Sequence, residues 1–330
     1  PFNHLRPASA TARDSSRRNL LMVGHLTSAD LGQTLCSDAY LALGDFYQRV
    51  TTWNGGVHAL VSGDSSRKQR EYLAWLKKAA LSASVVVPAR QPRVLSGLFA
   101  RMDEWSDGYY RDLYGEHYVE GTPEDKDSHR HLAYICVADL MEAVDYASGP
   151  LLRQFLAYQT DEFGFHFSHP SHVNPLLMAH LRGLQAESLR ELDYEEGVLG
   201  FVQQATPFMR RKQISEHLIA RAATAEGRAL SAGYAHELFG LEENQLNCLM
   251  FSPFIRHGER LESFLRQCHP GMLVALPELH KALQGKPVAD MLAQWVTDVS
   301  GLPLDLLQHL YRKRSATMVP QSDTPAMTAC

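Results

Sequence analysis

Apolar residues recur at intervals of three and four along nearly the whole of this 330-residue chain, and strand-type alternation is scarce. At that interval side chains share one face of an α-helix. Each such helix must bury its stripe against another helix, so the expected fold class is all-α and the expected architecture one helix bundle. The pattern predicts helices over 30–50, 67–81, 94–114, 129–146, 151–163, 173–192, 197–223, 229–239, 243–256, 260–268 and 287–312. Pro207, Pro253 and Pro303 are expected to kink or split three of them. The stretch 53–66, with Gly55-Gly56 and Gly63, reads as a loop, and Val85-Val86-Val87 before Pro88 as a short strand.

Residues 1–20 are polar, carry Arg6, Arg13, Arg17 and Arg18, and read as a flexible arm, a transit peptide being the other reading of those arginines. Residues 21–90 are then an N-terminal helical extension, 91–314 the bundle and 315–330 a disordered tail rich in Ser, Thr, Pro and Ala. The extension is expected to cap the bundle, close its cavity or form a homodimer interface.

Charge and motifs remove several functional classes. A net charge of −5 argues against a nucleic-acid partner. No apolar run approaches the about eighteen residues of a membrane span. Cys36, Cys136, Cys248, Cys268 and Cys330 are odd in number, far apart and free of any C-x-x-C. They read as free thiols of a cytoplasmic protein rather than as disulfides or a zinc site. The P-loop, G-x-G-x-x-G, H-E-x-x-H and G-x-S-x-G patterns are all absent.

The most informative stretch runs from Asp161 to Leu181. It holds Asp161-Glu162-Phe163-Gly164, then His166, His169 and His172, then Leu176, Leu177, His180 and Leu181. Glu162 is expected to close one helix and His172 to open the next. A carboxylate and an imidazole on adjoining helices can converge on one metal ion, and iron suits that mixed donor set. The plainer reading is a helix-breaking connection whose Glu and His make caps and surface hydrogen bonds.

With Glu162, Gly164, His172 ten residues after that Glu, and a Leu-rich helix following, the stretch resembles the heme-oxygenase-like diiron oxidases and oxygenases, the iron-containing redox enzyme family. The resemblance is specific over about twenty residues and extends loosely from Asp127 to Phe264 as a run of helices. It implies a heme-oxygenase-like multi-helix bundle with Glu162 and His172 as ligands of Fe(II), one or two ions, and O2 as co-substrate. It further implies an oxidase or oxygenase acting on a small amino-acid-derived or fatty-acid-like metabolite in biosynthesis. The family's earlier carboxylate has its nearest counterparts in Asp139 and Glu142, and its later Glu in Glu216 or Glu226. Its last helix carries His-x-x-x-Asp-x-x-His. Around His257 two of those three positions hold Leu261 and Phe264, or Met250 and Phe254, so the ligand pattern is partly degenerate.

These residues also have ordinary readings. Asp139 and Glu142, three apart, share a helix face that is preferably a solvated acidic one. Glu216 is preferably paired with Lys212, and Arg210-Arg211-Lys212 is preferably a solvated face rather than a carboxylate-binding cluster. Tyr109, Tyr110, Tyr114 and Tyr118 read as an amphipathic stripe with wet hydroxyls. Two further functions follow: a degenerate, metal-free helical scaffold or interaction protein of the same fold, and a tetrapyrrole binder with an axial histidine.

Overall fold

The structure is a computed structural model that describes residues 10–27, 57–63, 108–117, 133–137 and 174–313, apart from 212 and 213, with a few isolated positions besides. Helix accounts for 78% of the described residues, and on that balance they are all-α apart from one small strand pair. The chain divides into two compact units, one of Pro1–Ala42 and Asp139–Arg312, the other of Leu43–Ala138 and Lys313–Cys330.

In the first unit, α1 spans Ala10–Thr27. Its first half was expected to be a loose arm; the structure corrects this. Leu20, Leu21, Met22 and Val23 are buried and anchor the helix. Arg17, one of the supposed arm arginines, donates from Nε to the Gly240 carbonyl at 2.7 Å. Gly240 ends a helix in the left-handed region at φ 65°, and the cation meets the partial negative charge of that helix end.

The next helices follow the predicted order. Helix α2, Pro175–Arg190, starts where Asn174 Oδ1 accepts from the amides of Leu176 at 2.8 Å and Leu177 at 3.4 Å, with Pro175 in the first turn. It closes at Glu191, φ 55°. Helix α3, Tyr194–Arg211, and α4, Glu216–Arg221, replace the single helix expected over 197–223. The break falls before Ser215, whose hydroxyl caps α4, while α3 runs through Pro207 unbroken. Helix α5, Ala225–Phe239, is capped by Thr224. Helix α6, Glu243–Phe251, stops at Ser252, directly before Pro253. Helix α7 is Leu261–Cys268, α8 Leu276–Leu283, α9 Asp290–Ser300 and α10 Leu304–Arg312. Pro303 separates α9 from α10 as expected, and Gly301 at φ 72° ends α9. Helix α8 and the 3-10 turn before it, Pro270–Ala275, have no counterpart in the predicted set.

The pair α2–α3 is the tightest joint of this unit, because glycines let the backbones approach. A Cβ on Gly183 would lie 2.6 Å from Tyr194 Cδ2 and 2.8 Å from Val198 Cγ2. One on Gly197 would lie 2.6 Å from Ala186 Cβ and collide with the Arg182 carbonyl oxygen. Leu176, Ala179, Val198, Leu218 and Ala222 form the core of this joint. In a helix interior Gly→Ala ordinarily stabilises by about 1 kcal/mol. Gly200→Ala, in open space on the same helix, is expected to do so. Gly197→Ala is expected instead to destabilise by about 1–3 kcal/mol through overpacking. Paired urea denaturation curves check the opposite signs; equal shifts would mean the two helices do not approach here.

In the second unit, β1, Ala59–Ser62, pairs in parallel with β2, Ala133–Cys136, with Ala59 opposite Ala133 and Ser62 opposite Cys136. This corrects both the loop expected over 53–66 and the start of the helix expected over 129–146. Val61 and Ile135, β-branched and opposite each other, favour the extended form. Tyr109 and Leu113 are buried, Tyr110 stacks on Tyr114 with ring centroids 6.5 Å apart, and Asp112 pairs with Lys313 at 2.6 Å. Among the described residues, no helix is long and apolar enough to cross a membrane.

Candidate functional site

The sites expected from sequence fall into two groups. Glu162, His172, Asp139 and Glu142 lie outside the described residues, as do His166 and His169. Glu216 and His257 are described, and neither faces the interior. Glu216 opens α4 on the surface, where Arg210 Nε donates to its Oε1 at 2.7 Å. That hydrogen bond holds its carboxyl below the ordinary carboxylate range. Among the described residues its partner is Arg210; Lys212, the expected one, lies outside them. Glu226 is also exposed and pairs with Arg221.

His257 is the middle of three successive residues in the left-handed region, Arg256 at φ 49°, His257 at 58° and Gly258 at 76°. For L-residues this conformation costs about 1–2 kcal/mol each. Packing holds it: the imidazole of His257 meets the Tyr311 ring edge-on, centroids 5.5 Å apart, and Gly258 lies where a Cβ would be 2.8 Å from His280. The turn thus lays His257, exposed, against Tyr311. Among the described residues, no three His, Cys, Asp or Glu converge as a metal site.

The described chemistry gathers elsewhere, at His180. In α2, Leu176, Leu177, His180, Leu181 and Leu184 recur at helical spacing, so the imidazole sits on the buried stripe and is 1% exposed. Its Nδ1 lies 2.7 Å from the Tyr194 hydroxyl at the start of α3. Among the described residues its Nε2 has no hydrogen-bond partner, and it lies 3.7 Å from Glu243 Oε1 at the start of α6. One neutral tautomer suits both contacts: Tyr194 donates its O–H to Nδ1, and the proton on Nε2 faces the carboxylate.

Arg228 of α5 holds Glu243 in a fork, Nε to Oε1 at 3.0 Å and Nη2 to Oε2 at 2.8 Å. The same guanidinium binds Glu187 of α2 at 3.3 and 3.0 Å and lies 4.4 Å from the centre of the Tyr194 ring. Four helices therefore meet through five polar side chains.

The electrostatics follow from burial and from Arg228. Burial pulls His180 down to about 4; Glu243 and Glu187 oppose that pull and Arg228 adds to it. Burial raises the Tyr194 phenol above its ordinary value. On Glu243, burial pushes the carboxyl up, but the hydrogen bonds and charge of Arg228 outweigh it and the group lies below its ordinary value. At neutral pH the cluster thus holds a neutral imidazole, a neutral phenol and a guanidinium between two carboxylates. It can pass or withhold one proton at His180. It does not suit a metal cation, because both oxygens of Glu243 are already engaged by Arg228 and the guanidinium repels a second positive charge.

His180 was visible in the sequence, as a histidine in step with Leu176 and Leu184. Its partners were not, since Tyr194, Arg228 and Glu243 belong to other helices and carry no motif. The chain matches no family model, no curated protein and no solved structure.

Proposed function

We propose that this chain is a non-haem iron-dependent oxidase or oxygenase of a small organic metabolite, built on a helical scaffold, with Glu162 and His172 as iron ligands. The observation that carries the reading is the Glu162–Gly164–His172 spacing, which ends two residues before the cap of α2 at Asn174. The helical character of the described residues agrees with the scaffold that the resemblance implies. One carboxylate, one imidazole and an oxygen from Asp139 or Glu142 form a donor set that fits Fe(II). Glu216 and His257 fall out of that set, the first tied to Arg210, the second laid against Tyr311. Bound ferrous iron would supply O2 activation. The rest of the chain would hold the ligand-bearing segments together, with α2 starting at Pro175, three residues after His172 in the sequence.

The exposure of Glu216 and His257 also favours a second reading, a metal-free helical scaffold that keeps only part of a ligand pattern. Anaerobic ferrous loading followed by metal analysis separates the two. One or two irons per chain in wild type, lost in both Glu162→Ala and His172→Ala, is the expected result. No iron in wild type, or equal iron in all three proteins, would overturn the iron reading in favour of the scaffold.

A further inference from the structure

We propose that the His180–Tyr194–Arg228–Glu243 junction is an acid-sensitive latch. Neutral His180 ties α2 to α3 and lies against α6, and its protonation loosens the meeting of α2, α3, α5 and α6.

The hydrogen-bond chemistry sets the direction. Nδ1 of neutral His180 accepts from the Tyr194 hydroxyl at 2.7 Å. In the imidazolium both ring nitrogens carry protons. Tyr194 must then turn its own proton away and become the acceptor, so the existing bond is lost in its present sense. The new charge also arises on a side chain that is 1% exposed. The carboxylate best placed to receive it, Glu243, stands 3.7 Å away with both oxygens held by Arg228. Burial outweighs the pull of that shared carboxylate, so a charge on His180 destabilises the site.

Among the described residues, four helices contribute groups to this balance. From α3 comes Tyr194, from α5 Arg228, from α6 Glu243, and from α2 itself Glu187. Helix α7, which also touches α2, brings Cys268 beside Ser188 and Glu187 further along the helix. The two glutamates favour protonation of His180; burial and Arg228 oppose it, burial most. Arg228 is accordingly the tuning residue: it opposes the proton by its charge and also occupies the carboxylates that could welcome it.

The test follows the His180 imidazole by NMR across pH 7.5 to 4, in wild type and in Arg228→Met, with His180→Phe supplying the assignment. Urea midpoints are measured over the same range. In wild type His180 is expected to stay neutral well below pH 6.5 and the urea midpoint to fall on acidification. In Arg228→Met the titration is expected to move to higher pH. His180→Phe keeps an aromatic edge against Tyr194 but cannot take a proton, and it is expected to lose a large part of the acid-induced fall, the rest belonging to the other histidines that burial lowers, His25 of α1 and His269 after α7. A wild-type His180 that titrates near 6.5, or a His180→Phe protein that keeps the whole fall, would overturn the latch. If His180→Phe fails to fold, the direction of the Arg228→Met titration, with His180 assigned through its Tyr194 contact, still decides.

Discussion

Replacing Phe264 by alanine is expected to destabilise the protein by about 3–5 kcal/mol. Phe264 stands in α7 with no exposed surface. Its ring meets Phe251 at 5.5 Å, Phe254 at 6.4 Å and His269 at 5.1 Å between centroids. Phe251 ends α6, Phe254 lies in the connection and His269 follows α7, so one ring joins both helices to the loop between them. Its removal leaves a void among aromatic neighbours that are themselves buried or half-buried and cannot collapse far, which places the cost at the upper end for core truncations. Met291→Ala, at a side chain 81% exposed, is the control and is expected to shift stability by about 0.5 kcal/mol or less. Urea denaturation by circular dichroism checks both; a loss under 1 kcal/mol in Phe264→Ala would mean that this aromatic cluster does not form.

His25 gives the second large effect, and its sign depends on pH. It lies on α1 with no exposed surface, its ring 6.4 Å from that of Phe254, and neither nitrogen has a hydrogen-bond partner among the described residues. Burial alone lowers it from 6.5 to about 4. The unfolded chain therefore takes up the proton first as pH falls. The stability held by neutral His25 is complete above about pH 6.5 and is lost progressively toward pH 4, by about 3 kcal/mol in total. His25→Leu, close in volume, removes both the proton site and two unsatisfied nitrogens. At pH 7.5 it is expected to leave the protein as stable or to stabilise it by about 1–2 kcal/mol. At pH 4.5 the gain over wild type is expected to grow. Thermal melts at the two pH values check this, and a variant with the full wild-type acid sensitivity would contradict it.

Several elements were legible before any coordinates. Helix α2 carries Leu at helical spacing, so the helix could be read locally, although its start was expected at His172–Val173 and falls at the Asn174 cap. The end of α6 before Pro253 and the α9–α10 break at Pro303 follow from the missing proline amide. Pro207 misled, because α3 continues through it, and the true break at Ser215 came from a capping hydroxyl of a type common in loops. The part of the expected arm from residue 10 on misled as well. Arg13 and Arg18 are exposed as such an arm would have them, and only the nearness of Gly240 shows Arg17 as a helix-end partner.

The candidate site divides along the same line. Helical class and the order of the helices in this unit came from the sequence alone, because period and capping are local properties of neighbouring residues. The pairing of Glu216 with Arg210, the outward turn of His257, the parallel match of β1 with β2, and the union of His180 with Tyr194, Arg228 and Glu243 were decided only by tertiary structure. Each depends on which distant segment arrives at a given face, and on burial that no single segment can produce by itself.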